Sequence, residues 1–386
     1  MGKIRKFCRQ LLSNIYREYY SRKPIDEFKI VFESFAGKNY SDSPKEIAEE
    51  IIKKNKPWNL VWLSKDKPKD LPSSIKWVRY GSYAAIREWA TARLWIDNVR
   101  HQNRPRKRNE QLYLQTWHAP FSVKCIEKDA EEKLDSDYVE SAKYDGSICD
   151  AILSNSKLLD EVYERAFWLS QKTKILKFGF PRNDKLFRNG GDIEYKHRIR
   201  NELNITEDDY VVLYAPTFRD NRTTDGYVKA FDEIIDAFEK RFKKNVVVLV
   251  RLHPVAYRLI DFYKYNEKIR NLSNYPDVQE LVLASDCCIS DYSSTVFDFS
   301  MIDKPVFICA LDIDEYNEQR GLLPVFYELP YPLSRTVDEL RKAVLEYDEE
   351  QYSKDCFSFF SQYPNYDCGN AAERTVKFIE ELFNSK

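Results

Sequence analysis

The chain has 386 residues, which at roughly 100–200 residues per domain predicts two domains, each with a core of its own. Lys and Arg total 61 against 62 Asp and Glu, and this net charge of -1 excludes a protein that coats nucleic acid through overall positive charge. Hydrophobic residues make up 43% and charged residues 32% of the chain, a globular balance in which no apolar run approaches the length needed to cross a bilayer.

The eight cysteines show neither CxxC pairs nor zinc-type Cys/His spacing. They read as small core residues in a reducing compartment. No signal core or Ala-x-Ala cleavage site is evident near Met1, so the expected location is the cytoplasm.

The first expected element, residues 1–23, is a basic amphipathic helix. Lys3, Arg5, Lys6, Arg9, Arg17, Arg22 and Lys23 face a single acid, Glu18, while Ile4, Phe7, Cys8, Leu11, Leu12, Ile15 and Tyr19 gather on one side. This pattern fits a helix lying on an anionic membrane surface. The alternative is a helix packed on its own domain with a solvated basic back. A second cationic stretch, Arg100 to Arg108, reads either as an anion-holding segment or as a solvated loop.

Between these and beyond, short β-branched or aromatic runs alternate with helical stretches. Strand 28–35, helix 44–55, strands 60–63 and 76–80 and helix 83–93 are expected in the first half. In the second, strand 210–215, helix 228–242, strand 246–251, helix 278–284, strand 287–290, helix 294–302 and strand 305–309 follow. Such alternation implies α/β architecture: two Rossmann-like, doubly wound domains with parallel sheets. The paired glycines of Arg188-Asn189-Gly190-Gly191-Asp192 mark the linker. The expected division is 1–23, an N-terminal domain 24–195, a C-terminal domain 196–365, and a helix within 366–386 packing back toward the first domain.

Open α/β sheets bind ligands beyond the carboxyl ends of their strands, and the chemically notable residues cluster there. Gly37 and Lys38 lie in a loop before Ser43-Pro44-Lys45-Glu46, which reads as a capping box with proline at the first helical position. His118 follows an apolar run in Gln115-Thr116-Trp117-His118. His253 follows another in Arg251-Leu252-His253-Pro254, and both imidazoles are expected to face a central cleft. Arg219, after strand 210–215, can bind a phosphate bidentately or form a salt bridge between domains. In Ser290-Asp291-Tyr292-Ser293-Ser294-Thr295, the hydroxyls of Ser293, Ser294 and Thr295 converge at a helix start where a pyrophosphate can sit, and Asp298 lies within reach of a ribose hydroxyl.

Six strings in fixed order, Phe-Glu-Ser-Phe-x-Gly-Lys-x-Tyr-Ser-Asp at 32–42, Gln-Thr-Trp-His at 115–118, Gly-Phe-Pro-Arg-Asn-Asp at 179–184, Ala-Pro-Thr-Phe-Arg at 215–219, Arg-Leu-His-Pro at 251–254 and Ser-Asp-Tyr-Ser-Ser at 290–294, resemble the CDP-glycerol glycerophosphotransferase family of teichoic acid polymerases and primases. The resemblance covers about residues 28 to 365. It implies a GT-B fold with the nucleotide held by the C-terminal half, and peripheral attachment to the cytoplasmic face of the cell membrane. It also implies transfer of a polyol phosphate, glycerol phosphate favoured, from a CDP-polyol to a hydroxyl of a lipid-linked or saccharide acceptor, with release of CMP. Polymerases of the family usually continue Thr-Trp-His-Gly-Thr-Pro-Leu-Lys, whereas here Ala119-Pro120-Phe121-Ser122-Val123-Lys124 follows His118. That continuation is similar to a branch found in polysaccharide and capsule gene sets, and it bears on the acceptor more than on the donor.

Under this reading His118 and His253 are catalytic, with His118 the general base. Arg219, Ser293, Ser294, Thr295 and Asp298 bind the CDP-polyol, and Gly37, Lys38, Trp117, Lys124 and Arg182 bind the acceptor. No cofactor is expected, and the reaction is expected to be independent of metal. The expected partners are CDP-glycerol or CDP-ribitol, the acceptor and an anionic membrane surface, with no nucleic acid. A nucleotide-sugar glycosyltransferase or epimerase of the same fold, a CDP-ribitol ribitolphosphotransferase and a non-catalytic scaffold are the competing readings.

Overall fold

The computed structural model describes residues 2–100, 104–219, 225–229, 231–252 and 265–384, with side chains from residue 11 onward. His253 lies outside the described residues. The first domain is a seven-stranded parallel sheet built from β1 (Asp26–Glu33), β2 (Asn59–Ser64), β3 (Lys76–Arg79), β4 (Ala92–Asp97), β5 (Leu112–Gln115), β6 (Ala151–Leu153) and β7 (Lys174–Leu176) in the order β3-β2-β1-β4-β5-β6-β7. The second is a six-stranded parallel sheet of β8 (Tyr210–Tyr214), β9 (Val246–Val250), β10 (Ile269–Asn271), β11 (Cys287–Ser290), β12 (Val306–Cys309) and β13 (Leu333–Ser334), ordered β10-β9-β8-β11-β12-β13. Each is a doubly wound sheet, in agreement with the expected fold class. The central strands β8 and β9, Tyr-Val-Val-Leu-Tyr and Val-Val-Val-Leu-Val, are buried along their whole length. Helices cover both faces of a parallel sheet, so such strands carry continuous apolar runs instead of alternation.

Helix 278–284 and strand 287–290 fall on the residues expected of them, whereas β6, β7, β10 and β13 were not among the expected elements and further features differ. Strand β4 was not expected: the helix Tyr83–Thr91 passes directly into it. The helix expected from residue 228 begins at Asp232. The expected capping box is absent, because the helix Asp42–Lys53 starts one residue before Ser43, and the Ser43 hydroxyl instead accepts from the Arg182 N–H at 3.3 Å.

In the Arg100–Arg108 stretch, the described Arg100, Arg104 and Arg108 are committed to the protein and form neither an anion site nor a solvated loop, while Arg106 is exposed. Arg100 pairs with Glu127 at 3.1 Å, and Arg104 bridges Asp97 at 2.8 Å and Asp145 at 2.5 Å, all with buried side chains. Arg108 donates to the carbonyls of Ser21, Lys23 and Ala90, and so fastens the end of the N-terminal helix to its domain. Glu127 and Asp145 are distant in sequence and Asp97 lies just before the stretch, which is why the local charge looked uncompensated.

The N-terminal helix, Gly2–Ser21, rests on the helix Tyr83–Thr91 through a Tyr16–Tyr83 ring contact at 4.6 Å. Much of its apolar face is nonetheless open to solvent: Leu11 is 51% and Ile15 55% exposed, and Leu12 and Tyr19 are exposed with them. No helix among the described residues is long and apolar enough to cross a membrane.

Main-chain hydrogen bonds join the halves along two seams. The chain after residue 363 returns to the first domain: Lys157 N–H donates to the Pro364 carbonyl at 3.1 Å, and Tyr366 N–H to the Asn155 carbonyl at 2.7 Å. The Asp184 carboxylate then caps the last helix, Ala371–Asn384, by accepting from the Ala371 and Ala372 N–H groups at 2.8 Å each. The second seam inserts the segment after His118 into the second domain. Cys125 N–H donates to the Gly321 carbonyl at 3.0 Å and Leu323 N–H to the Val123 carbonyl at 2.9 Å. Beside them the Phe121 ring stacks on Phe297 at 4.4 Å.

Candidate active site

Strand order reverses between β1 and β4 in the first sheet and between β8 and β11 in the second. At such a switch point the flanking loops leave in opposite directions and open a crevice, so this geometry alone locates a ligand site. The loops leaving β1, β5, β8 and β11 enclose a cleft of about 730 Å³. Lys38, Trp117, His118 and Lys124 line it from the first domain, facing Thr217, Phe218, Tyr292, Ser293, Ser294 and Arg320 from the second.

His118 is held by its neighbours on several sides. Its Nδ1 lies 2.6 Å from the main-chain carbonyl of Asn98, an oxygen that only accepts, so Nδ1 carries the proton and Nε2 is left basic. The Asn98 side-chain oxygen accepts from the Phe35 N–H at 2.8 Å. One residue at the end of β4 thereby fixes both the loop after β1 and the ring after β5. The Trp117 ring lies 4.5 Å from the imidazole and Phe35 sits edge-on at 5.7 Å. Trp117 itself adopts φ +54, a left-handed conformation that turns the chain sharply beside the histidine. Burial pushes the His118 pKa below its ordinary value, as do the charges of Arg182 and Lys124, against the opposing pull of the Asn98 carbonyl and Asp42. The ring is therefore neutral near pH 7 and ready to accept a proton.

On the facing side, the Ser293 hydroxyl bonds the Thr295 hydroxyl at 3.1 Å and accepts from its N–H at 3.3 Å at the start of the helix Thr295–Ser300. Ser293 and Ser294 open on the cleft. Lys38 is exposed at the opposite rim. Gly37, with φ +72, has a turn-forming role: a Cβ there would lie 2.5 Å from the Tyr80 ring.

Three residues expected at the ligand are committed to the protein instead. Arg219 is 3% exposed and does not present a free guanidinium to a phosphate. It donates to Asp291 at 2.8 Å, to Asp312 at 2.5 and 2.9 Å, and to the Thr217 carbonyl at 2.6 Å. This ion pair is internal to the second domain, not between domains. Burial would lower its pKa, yet the Asp291 and Asp312 charges hold it above the ordinary value. Asp298 is fully buried and accepts from Arg182 at 2.8 Å, which removes it from the reach of a ribose. Arg182 is likewise turned from the cleft: at 7% exposure it donates to the His118 carbonyl at 2.6 Å as well as to Asp298.

The family described as CDP-Glycerol:Poly(glycerophosphate) glycerophosphotransferase matches residues 15–381. The chain belongs to this family. A teichoic acid poly(glycerol phosphate) polymerase of Staphylococcus epidermidis is 32% identical over 361 residues, covering 89% of the chain. The chain spans about half of that relative, 49% of its length. A teichoic acid glycerol-phosphate transferase of Staphylococcus aureus is 30% identical over 91% of the chain and 92% of its own length. Among solved structures, the wall teichoic acid polymerase TagF soaked with CDPG superposes with a TM-score of 0.85 at 30% identity, covering 99% of this chain and 97% of that one. The glycerophosphotransferase family, with its two-domain fold, is thus the setting in which the cleft is to be read.

Some contributors were not anticipated. Asn98 acts through its backbone oxygen, which no residue-type signal reveals. Tyr292 and Tyr316 stack at 3.8 Å behind the serine turn, and the Tyr292 hydroxyl donates to Asp312 at 2.9 Å.

Proposed function

We propose that the protein transfers glycerol phosphate from CDP-glycerol to an acceptor hydroxyl and releases CMP. The carrying observation is His118, neutral and fixed in the tautomer that leaves Nε2 basic, its ring lining the same cleft that Ser293 and Ser294 line from the other domain. His118 Nε2 takes the proton as the acceptor oxygen attacks the phosphorus that bears glycerol. The bond from that phosphorus to the bridging oxygen breaks, and the electron pair leaves with CMP. CMP is a weakly basic leaving group, so neutralising its charge matters more than protonating it. Lys38, Lys124 and Arg320, all on the cleft wall, supply fixed positive charge for the phosphates and the acceptor. In this scheme no bound metal is required, and turnover persists in the presence of a chelator.

The choice of glycerol over ribitol is supported by the two relatives, both named for glycerol phosphate. A lipid-linked acceptor at the cytoplasmic face of the membrane is supported by the exposed Leu11, Leu12, Ile15 and Tyr19 on a helix rich in Lys and Arg. The test offers CDP-glycerol and CDP-ribitol with lipid-linked and soluble saccharide acceptors and identifies products by mass. Release of CMP with a mass gain of one glycerol phosphate supports the reading. Transfer of a sugar, or of ribitol phosphate alone, overturns it.

A further inference from the structure

Arg182 lies in the turn Pro181–Asn183 of the first domain, and its guanidinium reaches across the domain junction. Nη1 donates to the His118 carbonyl at 2.6 Å and Nη2 to Asp298 Oδ2 at 2.8 Å. Asp42 stands 3.6 Å from Nε. With its amide oxygen turned toward the guanidinium, Gln279 of the second domain accepts from Nε at 2.9 Å. Asp298 belongs to the short helix Thr295–Ser300, immediately after the Ser293-Ser294 turn that lines the cleft. The adjacent residue of that helix, Phe297, is the one stacked on Phe121 of the His118 loop. Two consecutive residues of the helix are thus docked onto the loop that carries the histidine, one by an aromatic face and one through the guanidinium.

We infer that Arg182 is a positioning residue, coupling the loop of the catalytic histidine to the helix that carries the serine turn, so that base and donor-binding wall are held in fixed register. A planar guanidinium suits this task because two separate N–H edges bind two acceptors at a set angle, which a lysine ammonium cannot reproduce. A buried pair of this kind is weak evidence for stability but a good candidate for specifying a unique arrangement. The inference rests on the reading of His118 as the general base. The charged groups around the imidazole are Asp42, Arg182 and Lys124, of which Arg182 and Lys124 lower its pKa and Asp42 raises it. Loss of the Arg182 charge therefore has a signature at the ring that a purely structural strut lacks.

The test uses the full chain as Arg182→Gln, Arg182→Lys, Asp298→Asn and His118→Ala variants. Arg182→Gln is expected to lower kcat for CDP-glycerol by about 10- to 100-fold with KM changed little. In the same variant the His118 pKa, followed by NMR of ring-labelled histidine, is expected to rise. Arg182→Lys should keep the wild-type ring pKa while recovering only part of kcat, and Asp298→Asn should lower kcat while Arg182 retains its charge. A folded Arg182→Gln with an unmoved ring pKa, or with wild-type kcat, overturns the inference. The NMR arm reads the coupling without turnover. Retained turnover in His118→Ala would instead remove the general-base reading, a result separate from the Arg182 outcomes.

Discussion

His118 donates its Nδ1 proton to the Asn98 carbonyl at 2.6 Å, which leaves Nε2 basic on a ring that lines the cleft. Burial keeps this imidazole neutral to lower pH than a free histidine, whose pKa is about 6.5. The active form is deprotonated, so activity is present at pH 7 and is lost as pH falls through a pKa lower than the roughly 6.5 of a free histidine. The acid limb of the kcat/KM profile should have its midpoint below about 6.5. His118→Ala should reduce kcat by about 10² to 10⁴ with donor affinity nearly intact. A near-normal turnover number would remove the histidine from the mechanism.

Arg219 is expected to act as a strut of the second domain. Replacing it with Ala strands Asp291 and Asp312 as buried charges, a change that typically costs about 3–5 kcal/mol. Equilibrium denaturation should record that loss. A variant of wild-type stability with weakened CDP-glycerol binding would assign the guanidinium to the donor instead.

Glu88, 1% exposed, is bound by Lys29, Lys76 and Arg87. Burial would raise its pKa, but hydrogen bonds from Lys76 and Arg87 together with the Lys29 charge bring it down to about 2. A depressed carboxylate pKa gives stability that is present above the unfolded value near 4.3 and is lost as pH falls toward 2. Glu88→Gln should therefore cost about 2–3 kcal/mol at pH 7 and little near pH 2. Denaturant midpoints at the two pH values check this; equal losses at both would sink it.

The exposed apolar face of the N-terminal helix has its own readout. Leu11→Glu with Ile15→Glu should abolish sedimentation with anionic vesicles. Because both side chains lie in solvent, the change in folding stability should stay within about 0.5 kcal/mol for each. Unchanged sedimentation would end the membrane-surface reading.

The fold was largely legible because parallel strands are written as unbroken apolar runs; β9 and β11 are found from Val246–Val250 and Cys287–Ser290 alone. Strand β4 was not, since Thr91 ends a helix and Ala92 begins a strand with no turn residue between them. At the site, residues on loops after strands were legible as a set: Lys38, Trp117, His118, Lys124, Ser293 and Ser294 all reach the cleft. What was not legible is how the charges are paired. Arg219 and its acids lie more than 70 positions apart, and Arg182 meets Asp298 116 positions away. Sequence shows that an arginine is available, while folding decides whether its partner is a carboxylate or a ligand.

The return of residues 364–384 to the first domain bears on how the protein is made. As the ribosome delivers the chain, the second domain is complete once its own continuous stretch has emerged. The first must wait for the cap on Asp184 and for Val376 and Ile379 to fill its core. Domains usually fold from the N-terminus onward during synthesis. Here the later-encoded lobe is the one able to mature first, and a nascent chain stalled before residue 364 exposes an unfinished apolar groove for chaperones to cover.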